Sequence, residues 1–187
     1  MYRQKRYDDC IREVKSKLKK SPNSLHLLNY QAMAYSALKR DKEALLSYQK
    51  IVKKDPSLSG PYYNMGIILK RNGRVEEAIK SYKKAISLKP DYVQAYNNLG
   101  VLYKDEEKYE NAIKMFMKAK EIQPDHQSSY YNLGLILQEQ GFSKAFQSNK
   151  NLVQDKINIA VRGRGDPYVV IYLDFYRRFF TIVIGDS

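Results

Sequence analysis

The chain has 187 residues, 43% hydrophobic and 28% charged, with a formal net charge of +13 from 33 Lys and Arg against 20 Asp and Glu. Ordinary apolar content and 12% aromatic residues exclude a fully disordered chain and suffice for one domain or one short array. The single cysteine, Cys10, excludes an intramolecular disulfide framework and a Cys-based zinc knuckle.

Residues 5–24 read as the second helix of a helix pair, because Tyr7, Cys10, Ile11, Val14 and Leu18 recur at three- and four-residue steps. Residues 25–58, 59–92 and 93–126 each read as a complete pair of antiparallel helices. In the second of these, Tyr62, Met65, Gly66 and Leu69 form one apolar stripe. Asn72-Gly73 breaks it, and Val75, Ala78, Ile79, Tyr82 and Ile86 form the next. Lys89-Pro90-Asp91 then stops the helix, since proline biases the residue before it away from helical backbone. Gly66, Gly100 and Gly134 are expected to sit where the paired helix approaches, with Ala44, Ala78 and Ala112 as their small partners.

Residues 127–160 read as a decaying fourth pair: Gly141 keeps its place, Ala145 arrives one residue early, and Leu152 and Val153 offer a poor cap. Residues 161–187 form a non-repeat tail in which Tyr168 to Ile184 suits one or two strands or an apolar helix, a choice the residues leave open. Asp174, Arg177 and Arg178 interrupt that run, which is too short and too charged to span a membrane. Both ends are expected to be cut from a longer array, or the last segment to be an unrelated extension. The start Met1-Tyr2-Arg3-Gln4-Lys5-Arg6 lacks a secretory pattern, so a soluble cytoplasmic or nuclear protein is expected.

One period runs through all of this. Pro22, Pro56, Pro90 and Pro124 stand 34 residues apart, as do Ala44, Ala78 and Ala112, and Tyr48, Tyr82 and Phe116. Ala32, Gly66, Gly100 and Gly134 form a further column, and Leu28, Tyr62, Tyr96 and Tyr130 another. The period, the aromatic-x-x-Leu-Gly run and the later Ala-x-x-x-aromatic and Pro resemble tetratricopeptide (TPR) repeats over roughly residues 5–142. The resemblance implies an all-α, right-handed superhelical TPR solenoid with an irregular C-terminal extension. No pair buries its stripe alone, so neighbours must stack.

In such an array the first helices line an inner wall. Tyr30, Asn64, Asn98 and Asn132 share one column there, which puts three amides in register. An amide carries both donors and acceptors, so a ladder of them can pair with the backbone of an extended peptide whatever its side chains. The ladder, and Ala95 to Lys104 above all, resembles the superhelical TPR arms of O-GlcNAc transferase and SPINDLY. That resemblance implies peptide contacts at Asn64, Asn98 and Asn132. Tyr63, Asn97 and Tyr131 are their chain neighbours on the wall, and Lys70 and Arg71 would bias it toward acidic peptides. Asn98→Ala is then expected to weaken peptide binding by about 1 kcal/mol and leave stability nearly unchanged. The alternative use of such a wall is as the recognition arm of a sugar transferase whose catalytic domain lies elsewhere.

Other readings fare worse. TPR clamps for chaperone C-terminal carboxylates use Lys and Asn on the first groove helix, where this sequence has Asn29 and Met33, and Lys and Arg on the third, where it has Gln94 and Asn98; only Asn64, on the middle helix, matches. Charge is uneven, with 8 basic against 3 acidic residues in 1–24 and 5 against 6 in 93–126. Lys50, Lys53, Lys54, Lys80, Lys83 and Lys84 fall on second helices, where a solvated outer face is the plain reading and nucleic-acid binding the minor one. His26 and His126 stand apart, Asp105, Glu106 and Glu107 sit in a turn, and Cys10 fills a small-residue core column. Arg164-Gly165-Asp166 is a three-letter match without a secretion signal. The sequence therefore indicates protein or peptide partners, with membership of a multiprotein complex as the expected setting. It indicates no catalytic constellation, metal, cofactor, small-molecule ligand or membrane.

Overall fold

A computed structural model describes residues 2–139 of the chain. Eight helices follow in order: α1 (Tyr2–Lys20), α2 (Leu25–Ala37), α3 (Asp41–Lys54), α4 (Ser59–Arg71), α5 (Val75–Leu88), α6 (Val93–Asp105), α7 (Tyr109–Ile122) and α8 (Gln127–Glu139). No strand occurs among the described residues. The first compact unit runs to Ser129 and is a solenoid in which successive helices from α1 to α7 pack on one another. A second unit opens at Tyr130, and its described part is the remainder of α8. The expectations for 140–187, including the decayed repeat, the tail and Arg164-Gly165-Asp166, lie outside the described residues.

Two terminators alternate along the array. The first helices α2, α4 and α6 end on a left-handed residue, at Lys39 (φ 60°), Gly73 (φ 72°) and Glu107 (φ 57°). The residue after each then bonds back five positions, as in Arg40 N–H to the Tyr35 carbonyl at 2.9 Å and Arg74 N–H to that of Leu69 at 2.9 Å. The second helices end on the residue before proline. Asp55, Lys89 and Gln123 adopt φ near −130 to −135° and ψ of 90 to 95°, the extended region that a following proline imposes. Helix starts are also marked. Ser24 caps α2 through its Oγ, and acids open α3 (Asp41, Glu43), α5 (Glu76, Glu77) and α7 (Glu110) at the positive end of each helix.

The core is built from the repeating columns. Ala44, Ala78 and Ala112 are fully buried, as are Tyr48, Tyr82 and Phe116. One expectation is corrected here. The nearest atoms to a Cβ at Gly66 would all belong to the Tyr82 ring, the closest at 2.6 Å, and at Gly100 they would belong to Phe116, also at 2.6 Å. The glycine makes room for the ring one turn beyond the alanine, not for the alanine itself. At Gly134 a Cβ would meet nothing within 4 Å.

Candidate functional site

The wall of first helices within the first unit consists of α2, α4 and α6. Asn64 and Asn98 are both half-buried on it. Each amide ties its helix to the preceding second helix. Asn64 lies beside the hydroxyl of Tyr48 on α3 and opposes the rise in pKa that burial gives it. Asn98 does the same for Tyr82 on α5, and its Nδ2 also donates to the Tyr63 hydroxyl at 3.2 Å. Tyr63 in turn packs against Tyr92, with ring centroids 4.8 Å apart, and Tyr82, at 5.9 Å.

This arrangement has a plain cause. Tyr48 and Tyr82 are each only 1% exposed, and a buried hydroxyl without a partner is costly. The asparagine of the next repeat stands beside each hydroxyl, and no buried side-chain polar atom among the described residues lacks a partner. Burial pushes the Tyr48 hydroxyl up to about 12 and raises Tyr82 further, opposed in each case by the asparagine bond. Burial also raises Tyr63, again opposed by Asn98, and Tyr92.

A carboxamide has two N–H donors and two acceptor lone pairs, so these ties leave it capacity for a further peptide group. They do change one expectation. Asn98→Ala would strip two tyrosines of a partner, so its stability cannot be assumed unaffected. The sequence showed the columns but not this bond. Its signal was there: Asn64 follows Tyr48, and Asn98 follows Tyr82, by the same interval.

The remaining candidates are distributed along the array. Asn97 and Tyr63 are half-buried on α6 and α4. Asn132 and Tyr131 lie on α8 in the second unit, Asn132 half-buried and Tyr131 exposed. Lys70 pairs with Asp105 at 3.3 Å. Arg71 makes a two-point contact with Asp41, its Nε 3.0 Å from Oδ2. Both cations thus pair with the protein's own carboxylates, which an acidic peptide would have to displace. At α2 the same wall turns apolar: Tyr30 and Met33 are 58% and 52% exposed.

The groups considered for chemistry are dispersed. His26 is exposed, while His126 Nδ1 lies 2.8 Å from Ser129 Oγ. Cys10 is half-buried on α1. Among the described residues no cluster of three or more His, Cys, Asp or Glu could hold a metal ion, and no helix is long and apolar enough to cross a membrane.

Family models settle what the helix pairs are. Models described as tetratricopeptide repeat or TPR repeat match residues 30–57, 47–80, 68–106 and 93–126. Residues 30–126 are tetratricopeptide repeats. No curated protein sequence matches the chain. Among solved structures, this TPR chain is similar to MamA at 26% identity and a TM-score of 0.70, over 82% of this chain and 91% of that one. It is also similar to YrrB, described as a TPR protein with an unusual peptide-binding site, at 24% identity and a TM-score of 0.62 over 68% of this chain and 66% of that one. A third is the first TPR of Spaghetti (RPAP3) bound to the HSP90 peptide SRMEEVD, at 23% identity and a TM-score of 0.59 over 62% and 91% of the two chains. The last two likenesses are of fold.

Proposed function

We propose that this protein is an interaction module, acting as an adaptor or scaffold, that holds an extended peptide segment along its wall of first helices. The observation that carries the reading is the pair Asn64 and Asn98, in register on α4 and α6 and held in place by tyrosines of the preceding repeats. An amide fixed from behind meets a peptide group with less ordering cost than a free one. Asn132 recurs at the same 34-residue interval on α8, in the second unit. The TPR fold can hold a peptide, as the Spaghetti structure illustrates for its own chain.

The sugar-transferase arm rests on the asparagine column and the run Ala95 to Lys104, and none of the three solved structures above is described as such an enzyme. The adaptor reading is therefore preferred.

Peptides selected from a random display library on the full chain test the proposal. They are then measured against a variant combining Asn64→Ala and Asn98→Ala with Tyr48→Phe and Tyr82→Phe, which removes most of the tied pairs from both sides. Two lost amides, at about 1 kcal/mol each, correspond to roughly 30-fold weaker binding. Unchanged affinity in a folded variant would refute the wall.

A further inference from the structure

A second surface lies where the first three helices meet. A cleft of about 280 Å³ opens between α1, α2 and α3, lined by Lys15, Leu18, Lys19, Pro22, Leu28, Gln31 and Lys50. No carboxylate lines it. Lys15, Lys19 and Lys50 are exposed, and among the described residues none of the three forms an ion pair. The polar group beneath them is satisfied, since Gln31 Oε1 accepts from the Ser47 hydroxyl at 3.2 Å. The rest of the lining is apolar: Leu18 and Pro22 flank Leu28, which is 3% exposed.

Leu28 occupies the column that Tyr62 and Tyr96 fill in the next two repeats, so the first interface has a smaller side chain beneath it. The lysines converge here too. The equivalent positions are Gln49, Lys53 and Lys84 one repeat on, then Lys83, Ser87 and Lys118. Only the first interface brings cations to all three places.

We propose that this cleft docks an acidic segment of a partner protein, seating one aliphatic side chain on Leu18, Pro22 and Leu28 while Lys15, Lys19 and Lys50 pair with its carboxylates. Charge complementarity supplies the long-range attraction and the apolar floor fixes the register. A uniformly charged polymer would use the lysines but not the floor. The proposal is independent of peptide binding on the inner wall.

The test uses the full chain and a fluorescent peptide of Asp and Glu flanking one central leucine, read by anisotropy. Lys15→Glu/Lys19→Glu/Lys50→Glu is expected to weaken binding at least about tenfold. Lys80→Glu/Lys83→Glu/Lys84→Glu changes the net charge equally and is expected to change affinity by no more than about twofold. Alanine for the leucine of the probe is expected to cost the unaltered chain about fivefold or more, a readout that does not depend on how any variant folds. Asn64→Ala/Asn98→Ala is expected to bind the probe normally, which separates this cleft from the wall. Equal losses in the two lysine triples, indifference to the leucine, or tighter binding of a single-stranded RNA oligonucleotide at the same lysines would each overturn the proposal.

Discussion

The ring of Tyr82 occupies the space where a side chain on Gly66 would begin: a Cβ there would lie 2.6 Å from the ring. The ring is 1% exposed and pinned by Asn98 and Tyr63, so it has little room to yield. Gly66→Ala is expected to destabilise the array by about 1–3 kcal/mol, read as a lower denaturation midpoint. Gly60→Ala, on the same helix with nothing within 4 Å of its Cβ, is expected to be neutral or stabilising by up to about 1 kcal/mol. Equal effects at the two sites would contradict this packing.

The tie between Asn98 and Tyr82 is measurable by a double-mutant cycle. Asn98→Ala is expected to cost about 1–3 kcal/mol because it leaves buried hydroxyls unpaired. Tyr82→Phe keeps the ring, as Phe116 does in the next repeat, and is expected to cost less. Coupling of about 1 kcal/mol is expected between them, and strict additivity would show that the bond contributes nothing to stability.

Left-handed backbone at Lys39 and Glu107 is strained for a residue with a Cβ, whereas Gly73 adopts it freely. Lys39→Gly and Glu107→Gly are each expected to raise stability by about 1 kcal/mol, and Gly73→Lys to lower it by a similar amount. Thermal melts of the three variants check this directly.

Alkaline pH acts on the same tyrosines. Burial holds the Tyr48 hydroxyl at about 12, above its ordinary value of 10.0. The folded state therefore retains a proton that the unfolded state releases. Stability from this group is complete below the unfolded value and declines as pH climbs between the two. Denaturation followed by tyrosinate absorbance is expected to show that decline, with a shallower slope in Tyr48→Phe. An unchanged slope would argue against the buried hydroxyl.

How legible the fold was depends on what a column can say. Pro56, Pro90 and Pro124 placed the ends of the second helices, and pre-proline Asp55, Lys89 and Gln123 are extended as that chemistry requires. Gly73 marked its turn because glycine favours left-handed backbone. Lys39 and Glu107 do the same work without any local signal. A period shows which residues recur but not which face each other across the hairpin: Tyr82, not Ala78, stands against Gly66. The candidate site was legible in the same partial way. The asparagine column was visible, but its bonds to tyrosines sixteen residues earlier needed coordinates. The pairing of Arg71 with Asp41 joins residues thirty positions apart that share no column.

The central claim is that the amides of Asn64 and Asn98 meet the ligand. The most direct measurement follows the side-chain amide resonances of isotope-labelled protein as a display-selected peptide is added. Those of Asn64 and Asn98 are expected to shift strongly and to saturate with the binding isotherm, while those of the exposed Asn23 and Asn111 stay in place. Saturating peptide with Asn64 and Asn98 unmoved would contradict the account.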